Sequence, residues 1–390
     1  PVSFPWMSGA PVLSLGGGLN RYEGTHFGEI IWTQQFAGIP KDYRYYDNDA
    51  DKRDANLFAK MEISFGKGFT AFADMQMRGV RYRFLGYDKD RNNVTQNAIL
   101  TFFNPKMGLT YSFQKNWIAY CFWGVGNREP NRDDYTQSTP ESRPLPERLY
   151  DLETGVKTGA ANWHVSANFF HMRYRNQLTL DGRLNDVGAY IRTNVPRSSR
   201  TGLELEASGT LFSGLMLAGN VALSKNVINE FTEFTDNWDT GGQETIIHRN
   251  TDLAFSPDII ARGEISYGIL EKPNRHALSA TLSGKYVGRQ FLDNTSSDNT
   301  DLPGYFFSDI RVNYDLMNVF GKKLSVIVAI NNLFDARYSS NGWTYRFISE
   351  GYDPRPDDPY SRSEGGGVYN LTGYFPQAGR NWMATLQLRF

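Results

Sequence analysis

Apolar and polar residues alternate with a period of two along most of this chain, a period that belongs to strands and not to helices. In the last ten residues Trp382, Ala384, Leu386, Leu388 and Phe390 fall on one side, and Met383, Thr385, Gln387 and Arg389 on the other. Upstream, Phe306, Ile310, Val312 and Tyr314 oppose Asp309, Arg311 and Asn313, while Leu203 and Leu205 oppose Glu204 and Glu206. Such runs start near residues 11, 26, 54, 68, 105, 116, 147, 163, 197, 214, 257, 275, 304, 323 and 380, which predicts about 15 strands. An aromatic content of 14% and 37 glycines suit strands with many turns. No apolar stretch approaches the ~18 residues that a membrane helix needs.

The connections alternate in length. Gly66-Lys67-Gly68, Gln114-Lys115 and Phe212-Ser213-Gly214 are short, whereas segments 37–53, 85–104, 129–146, 178–196, 227–256, 291–303 and 336–379 read as long loops. Short turns on one rim and long loops on the other describe an all-β, antiparallel transmembrane β-barrel. A soluble sandwich or propeller would share the period and the turns. Against it, the charged residues Glu204, Glu206, Arg262, Glu264, Asp309 and Arg311 recur on one face of successive strands, where water must reach them. Trp117, Trp163, Tyr286 and Trp382 stand near strand ends, as interfacial girdles do, and the chain finishes on an aromatic residue. Counting back from Phe390 on the short-turn rim places residues 1–10 on the long-loop rim, whereas a complete barrel starts where it ends. At roughly 25 residues per strand and connection, a 22-stranded barrel needs roughly 550 residues. Residues 1–390 are therefore expected to be the C-terminal portion of such a barrel, with its first strands outside this sequence. Pro5 and Pro11 make the N-terminal segment a poor further strand.

Several chemistries find no support. A net charge of -1 gives no broad reason to bind nucleic acid. Cys121 is alone, so neither a disulfide framework nor a cysteine zinc site is expected. The five histidines show no H-E-x-x-H spacing, and there is no phosphate loop. Asp47, Asp49 and Asp51 form a D-x-D-x-D run, but Lys52 stands where a calcium loop needs Gly and Phe58 where it needs Glu, which leaves a solvated acidic loop. His171 and His276 read as mid-strand histidines without an acid partner nearby in sequence, so no catalytic constellation, metal or cofactor is expected. Candidate binding residues lie on the long segments: Asp236, Trp238, Asp239 and His248 on one, Trp343, Tyr345, Arg346, Tyr352 and Arg355 on another. Aromatic and charged groups together suit a flat or cyclic ligand, and equally suit loops that pack on each other.

One ordered set of motifs resembles a known family. Arg128-Glu129-Pro130, Pro146-Glu147, Glu153 with Gly155, Arg200-Thr201-Gly202-Leu203-Glu204, Asn332-Leu333-Phe334-Asp335 before Tyr338, and Tyr374-Phe375-Pro376 before Gly379-Arg380 are similar to landmarks of TonB-dependent outer-membrane receptors. The resemblance implies ligand-gated import of a scarce, bulky nutrient (iron-siderophore, haem, cobalamin or glycan) across a bacterial outer membrane, without enzymatic activity. It also implies a plug domain of the same parent chain facing Glu204, Glu206, Arg262, Glu264, Asp309 and Arg311, and a TonB-type energy-coupling protein. Outer-membrane lipids, a barrel-insertion machinery that reads Trp382 and Phe390, and a surface lipoprotein complete the expected partners. The C-terminal motifs are closer to iron-chelate and haem importers than to large glycan importers. A passive diffusion channel and a scaffold for a lipoprotein complex are the competing readings.

Overall fold

The computed structural model describes residues 10–35, 38–87, 93, 95–136, 143–184, 190–272, 275–319 and 322–389; Pro5 and Phe390 lie outside the described residues. In chain order the strands are β1 (Val12–Ile30), β2 (Tyr43–Phe65), β3 (Phe69–Tyr87), β4 (Gln96–Gln114), β5 (Trp117–Arg128), β6 (Glu147–Ala160), β7 (Trp163–Leu184), β8 (Tyr190–Phe212), β9 (Leu215–Asn237) and β10 (Gly242–Asp252). They continue with β11 (Ile259–Lys272), β12 (His276–Val287), β13 (Gln290–Phe291), β14 (Asp301–Leu302), β15 (Tyr305–Val319), β16 (Lys322–Asn331), β17 (Ser339–Ile348), β18 (Ser361–Gly365), β19 (Val368–Pro376) and β20 (Asn381–Arg389). A short helix, α1 (Arg132–Thr136), follows β5. The all-β, antiparallel class read from the alternation is the class observed.

Three details differ from the sequence reading. The runs starting near 11 and 26 are one strand, because β1 pairs with β2 without a break from Val12 opposite Glu62 to Gly28 opposite Tyr46. Val12 therefore stands at the short-turn end beside the 66–68 turn, and counting back to a long-loop start is off by one strand. The long segments also carry strands of their own: 37–53 holds the start of β2, 227–256 holds the end of β9 and β10, and 336–379 holds β17, β18 and β19. Asp47, Asp49 and Asp51 consequently lie on β2 and not in an acidic loop. There Asp47 pairs with Arg44 at 3.0 Å and Asp51 with Arg21 at 2.8 Å.

The chain divides into two compact units, Pro1–Tyr111 with Phe122–Asp151 and Ser112–Cys121 with Leu152–Phe390. In the first, β1 to β4 form an antiparallel meander. Gly66 (φ +57°) and Gly68 (φ +93°) turn β2 into β3 through the left-handed region that favours glycine. Cross-strand rows such as Leu13–Met61–Ala73–Met107 and Leu15–Ala59–Met75–Pro105 cover one face, and among the described residues no other part of the unit packs on them. An apolar sheet face left bare calls for hydrocarbon. Phe65, Phe69 and Tyr111 stack at its short-turn end, with centroids 5.7 and 4.1 Å apart, as an interfacial girdle does. The other face is polar, and the segment after β5 folds onto it. Glu129 accepts from Lys52 Nζ at 2.8 Å and from Arg78 Nη1 at 2.7 Å, while Arg78 also donates to Asp54. Tyr135 of α1 packs on Tyr82 and Phe84 in a small buried cluster.

In the second unit β7, β8, β9, β11, β12, β15, β16 and β20 pair in that order, all antiparallel. The row Leu205–Val221–Ala261–Tyr286–Phe306 and the row Ile310–Ile330–Trp382 lie on one face; Trp382 is 76% exposed. Gly155 is a close-packing site, since a methyl there would meet Tyr120 Oη at 2.5 Å and Ala167 O at 2.6 Å. The Asn332-Leu333-Phe334-Asp335 motif has a physical reason. Asn332 (φ +51°) donates through Nδ2 to Ala336 O at 2.8 Å and Ala378 O at 3.2 Å, and Asp335 Oδ1 accepts from Arg380 N at 2.8 Å. These bonds tie the exit of β16 to the entry of β20.

Candidate functional site

β9 is longer than its partner β11 requires. Its pairing with β11 ends at Leu223, and the strand runs on to Asn237 against β10, forming a hairpin beyond the wall. β17 and β19 form a second excursion between β16 and β20. The two meet where Phe347 and Ile348 pair in parallel with Asp236 and Asn237, and Trp238 N donates to Ile348 O at 2.9 Å.

Alternation along β17 sends two sets of side chains to opposite faces. Trp343, Tyr345 and Phe347 share one. Tyr345 Oη donates to Asp236 Oδ2 at 2.7 Å, Trp238 Nε1 donates to Tyr345 Oη at 3.3 Å, and the Trp238 ring stacks on the buried Phe347 at 3.9 Å. Trp343 lies over Gly373 of β19. Asp239 receives the backbone N–H groups of Glu350 at 2.6 Å and Gly351 at 3.1 Å. On the other face Arg346 bridges two carboxylates, Glu233 at 2.8 Å and Glu364 at 2.5 Å, all three side chains being at most 16% exposed. His248 Nε2 lies 2.7 Å from the same Glu233 oxygen. Burial pushes the Glu233 carboxyl up, but His248 and Arg346 pull it further down, to a net value below the usual carboxylate range.

The six candidate residues Asp236, Trp238, His248, Trp343, Tyr345 and Arg346 are thus all on the excursions, and five of them bond residues across the junction or the hairpin. Glu233, Glu364 and Phe347, which the sequence reading did not single out, complete the arrangement. Beside it lies a cleft of about 40 Å³ lined by Asp181, Thr193, Glu233, Asp293, Thr295 and Arg346. That volume admits water, whereas sites for bulky ligands occupy hundreds of Å³. Chemically the junction is a clasp that holds two loops together.

Asp293 is buried, and its Oδ1 accepts from Thr295 N, Thr295 Oγ1 and Thr300 Oγ1 at 3.0, 2.7 and 3.0 Å. Burial raises its carboxyl to about 6, outweighing those hydrogen bonds. A group harder to ionise when folded favours the folded state below its unfolded value and loses that advantage as pH rises through about 6. Asp293→Asn keeps an oxygen for all three donors. It is expected to leave hydrogen exchange in residues 290–302 unchanged at pH 4 and to slow it at pH 8, by up to about 3 kcal/mol in opening free energy. Equal exchange at both pH values would remove burial as the cause.

On the wall itself, the register places the expected lumen residues on one face. Glu206 stands opposite Asn220 and Asn220 opposite Arg262; Glu264 stands opposite Ser283 and Ser283 opposite Asp309; Arg311 stands opposite Thr281. Glu204 is on the same side, within 3.4 Å of Asn168 Nδ2. Arg262, Glu264, Asp309 and Arg311 border an open cleft of about 260 Å³. Arg262 pairs with Glu264 at 3.4 Å, its side chain still 59% exposed. His276 is the first residue of β12 and not mid-strand, while His171 lies within β7 and contacts Thr201 Oγ1 at 2.8 Å.

Comparison with known proteins adds two findings. The family described as TonB dependent receptor-like, beta-barrel matches residues 5–333. Among solved structures, the fold is similar to the ferric-catecholate import receptor Fiu from E. coli K12 in its closed form (TM-score 0.62, 14% identity, 94% of this chain and 52% of that one). It is also similar to the siderophore receptor PiuA from Acinetobacter baumannii (TM-score 0.65, 13% identity, 96% and 52%) and to the copper transporter OprC (TM-score 0.62, 14% identity, 94% and 54%). The chain spans about half the length of these proteins.

Proposed function

Because the chain belongs to the TonB-dependent receptor-like β-barrel family and so is built for the bacterial outer membrane, we propose that its parent protein actively imports a ferric chelate, driven by a TonB-type coupling protein. The carrying observation is the charged inner face of the second unit. Arg262, Glu264, Asp309 and Arg311 are incompletely paired around an open cleft, and charges held inside a wall need partners. A plug domain of the parent chain supplies them, as expected from the resemblance, and makes the wall a gated importer in place of a passive channel.

The cargo class rests on the excursions. With Asp236, Tyr345 and Arg346 engaged in the clasp, the outward surface left for a ligand includes aromatic rings beside charged groups such as Arg249 and Arg355: Trp238, Tyr352 and Tyr360 are 50%, 52% and 75% exposed. Flat aromatic faces suit a chelate built from aromatic rings, and the import receptors Fiu and PiuA support iron over glycan.

The test is uptake of a radiolabelled ferric catecholate by cells with and without the parent gene, each with and without a protonophore. Uptake is expected only with the gene and an intact proton gradient. Gene-dependent uptake that survives the protonophore would sink active import, and gene-dependent growth on a glycan instead of the chelate would sink the cargo assignment.

A further inference from the structure

The outward face of the first unit changes character at one level. Along β3, Phe69, Ala71, Ala73, Met75, Met77 and Gly79 face outward, and Arg81 and Arg83 follow them. Along β1, Leu13, Leu15, Gly17 and Leu19 precede Arg21, and along β2, running the other way, Met61, Ala59, Leu57 and Ala55 precede Arg53. At ~3.3 Å per residue and a tilt of ~45°, Phe69 to Arg81 rises roughly 28 Å, close to the ~25 Å apolar band of a membrane barrel. The arginines therefore stand where hydrocarbon gives way to headgroups, at the long-loop end.

The register sets Arg21 opposite Arg53 and Arg53 opposite Arg81. Like charges directly opposite one another are unfavourable, and the protein offsets only part of this row. Asp51 takes Arg21 at 2.8 Å and Arg53 at 3.2 Å, and Glu23 also contacts Arg21. Arg81 has no ion pair among the described residues. Immediately below the row lies an outward hollow of about 570 Å³, lined by Leu19, Ala55, Gly79 and Thr101, with the arginines and, opposite Arg81, Ile99 at its upper edge. Gly79 makes the hollow, since a methyl built there meets nothing within 4 Å. Leu19 and Ile99 flank it, 88% and 69% exposed.

We propose that this hollow and the arginine row form a binding site for a phosphate-bearing lipid of the outer leaflet. An acyl chain lies along Leu19, Gly79 and Ile99, and the headgroup phosphate is held by Arg53 and Arg81. Guanidinium forks match phosphate oxygens, and an anion at this level removes the repulsion along the row. The site rests on the membrane placement of the wall and is independent of import.

Binding of phosphorylated lipid A to the purified full chain in detergent, read by native mass spectrometry, tests it. Dephosphorylated lipid A and inorganic phosphate serve as separate probes, and heat-modifiable electrophoretic mobility reports folding. Arg53→Gln/Arg81→Gln is expected to weaken binding of the phosphorylated lipid on the order of tenfold or more, while Arg249→Gln, on β10 of the second unit, changes nothing. Gly79→Leu, which fills the hollow and leaves the arginines intact, is expected to weaken lipid binding without altering the response to phosphate. Unchanged lipid binding in a folded double variant, equal binding of the dephosphorylated lipid, or inorganic phosphate binding as tightly as the lipid would each overturn the proposal.

Discussion

Arg346→Met is expected to release the β17–β19 excursion from β9 while leaving the wall folded. Arg346 is the cation between Glu233 and Glu364, with each side chain of the three at most 16% exposed. Removing it leaves two buried carboxylates sharing a site, a change that costs about 3–5 kcal/mol. Glu233 retains His248 and Glu364 retains Asn370, which limits the loss but does not restore a charge between them. Faster hydrogen exchange and new protease cuts should appear within residues 339–376 and not in β16 or β20. Arg346→Lys should fall between, because one ammonium cannot span two carboxylates as a guanidinium does. Wild-type exchange in Arg346→Met would mean that the clasp is held by its other contacts, the Trp238–Phe347 stack and the bonds of Asp236 and Asp239 among them.

The wall was legible in the sequence because a period of two is a local signal. Trp382, Leu386 and Leu388 on one side, or Glu204 and Glu206 on the other, declare their faces without knowledge of any neighbour. The six charged residues expected to line a lumen do share one face, for that reason. Strand limits were less legible where composition argues against pairing. Asp47 to Asp51 reads as a loop by its acidic and Asn content, yet it is a strand because Arg44, Arg21 and Arg53 lie across or beside it.

The clasp was half legible. Asp236, Trp238, Tyr345 and Arg346 stood out by chemistry, but what they touch depends on pairing over long separations: Arg346 and Glu233 are 113 residues apart. Glu233, Glu364 and Asp293 carry no local mark that separates them from any solvated carboxylate. Only the fold reveals that they are buried.

The same reasoning predicts the effect of Glu129, at the Arg-Glu-Pro motif that follows β5. Glu129→Ala is expected to destabilise the first unit by about 3 kcal/mol, measured as a shift in urea unfolding of the detergent-solubilised chain. Burial alone would raise this carboxyl, but hydrogen bonds from Arg78 and Lys52 outweigh it and bring it to about 2. A group depressed on folding contributes fully above its unfolded value, and that contribution is lost as pH falls through about 2. The variant's deficit should therefore be largest at pH 6 to 8 and shrink on acidification below about 4. Part of it comes from Arg78 and Lys52 left facing each other with Asp54 as the remaining carboxylate. Arg78→Met/Glu129→Leu separates this from a net benefit of the ion pair. Replacing both partners by apolar groups of similar size removes one charge of each sign and leaves Lys52 and Asp54, one cation and one carboxylate, so the double variant should recover part of the loss. A double variant no more stable than Glu129→Ala would mean instead that the motif holds α1 and Tyr135 against Tyr82 and Phe84 through the salt bridge itself.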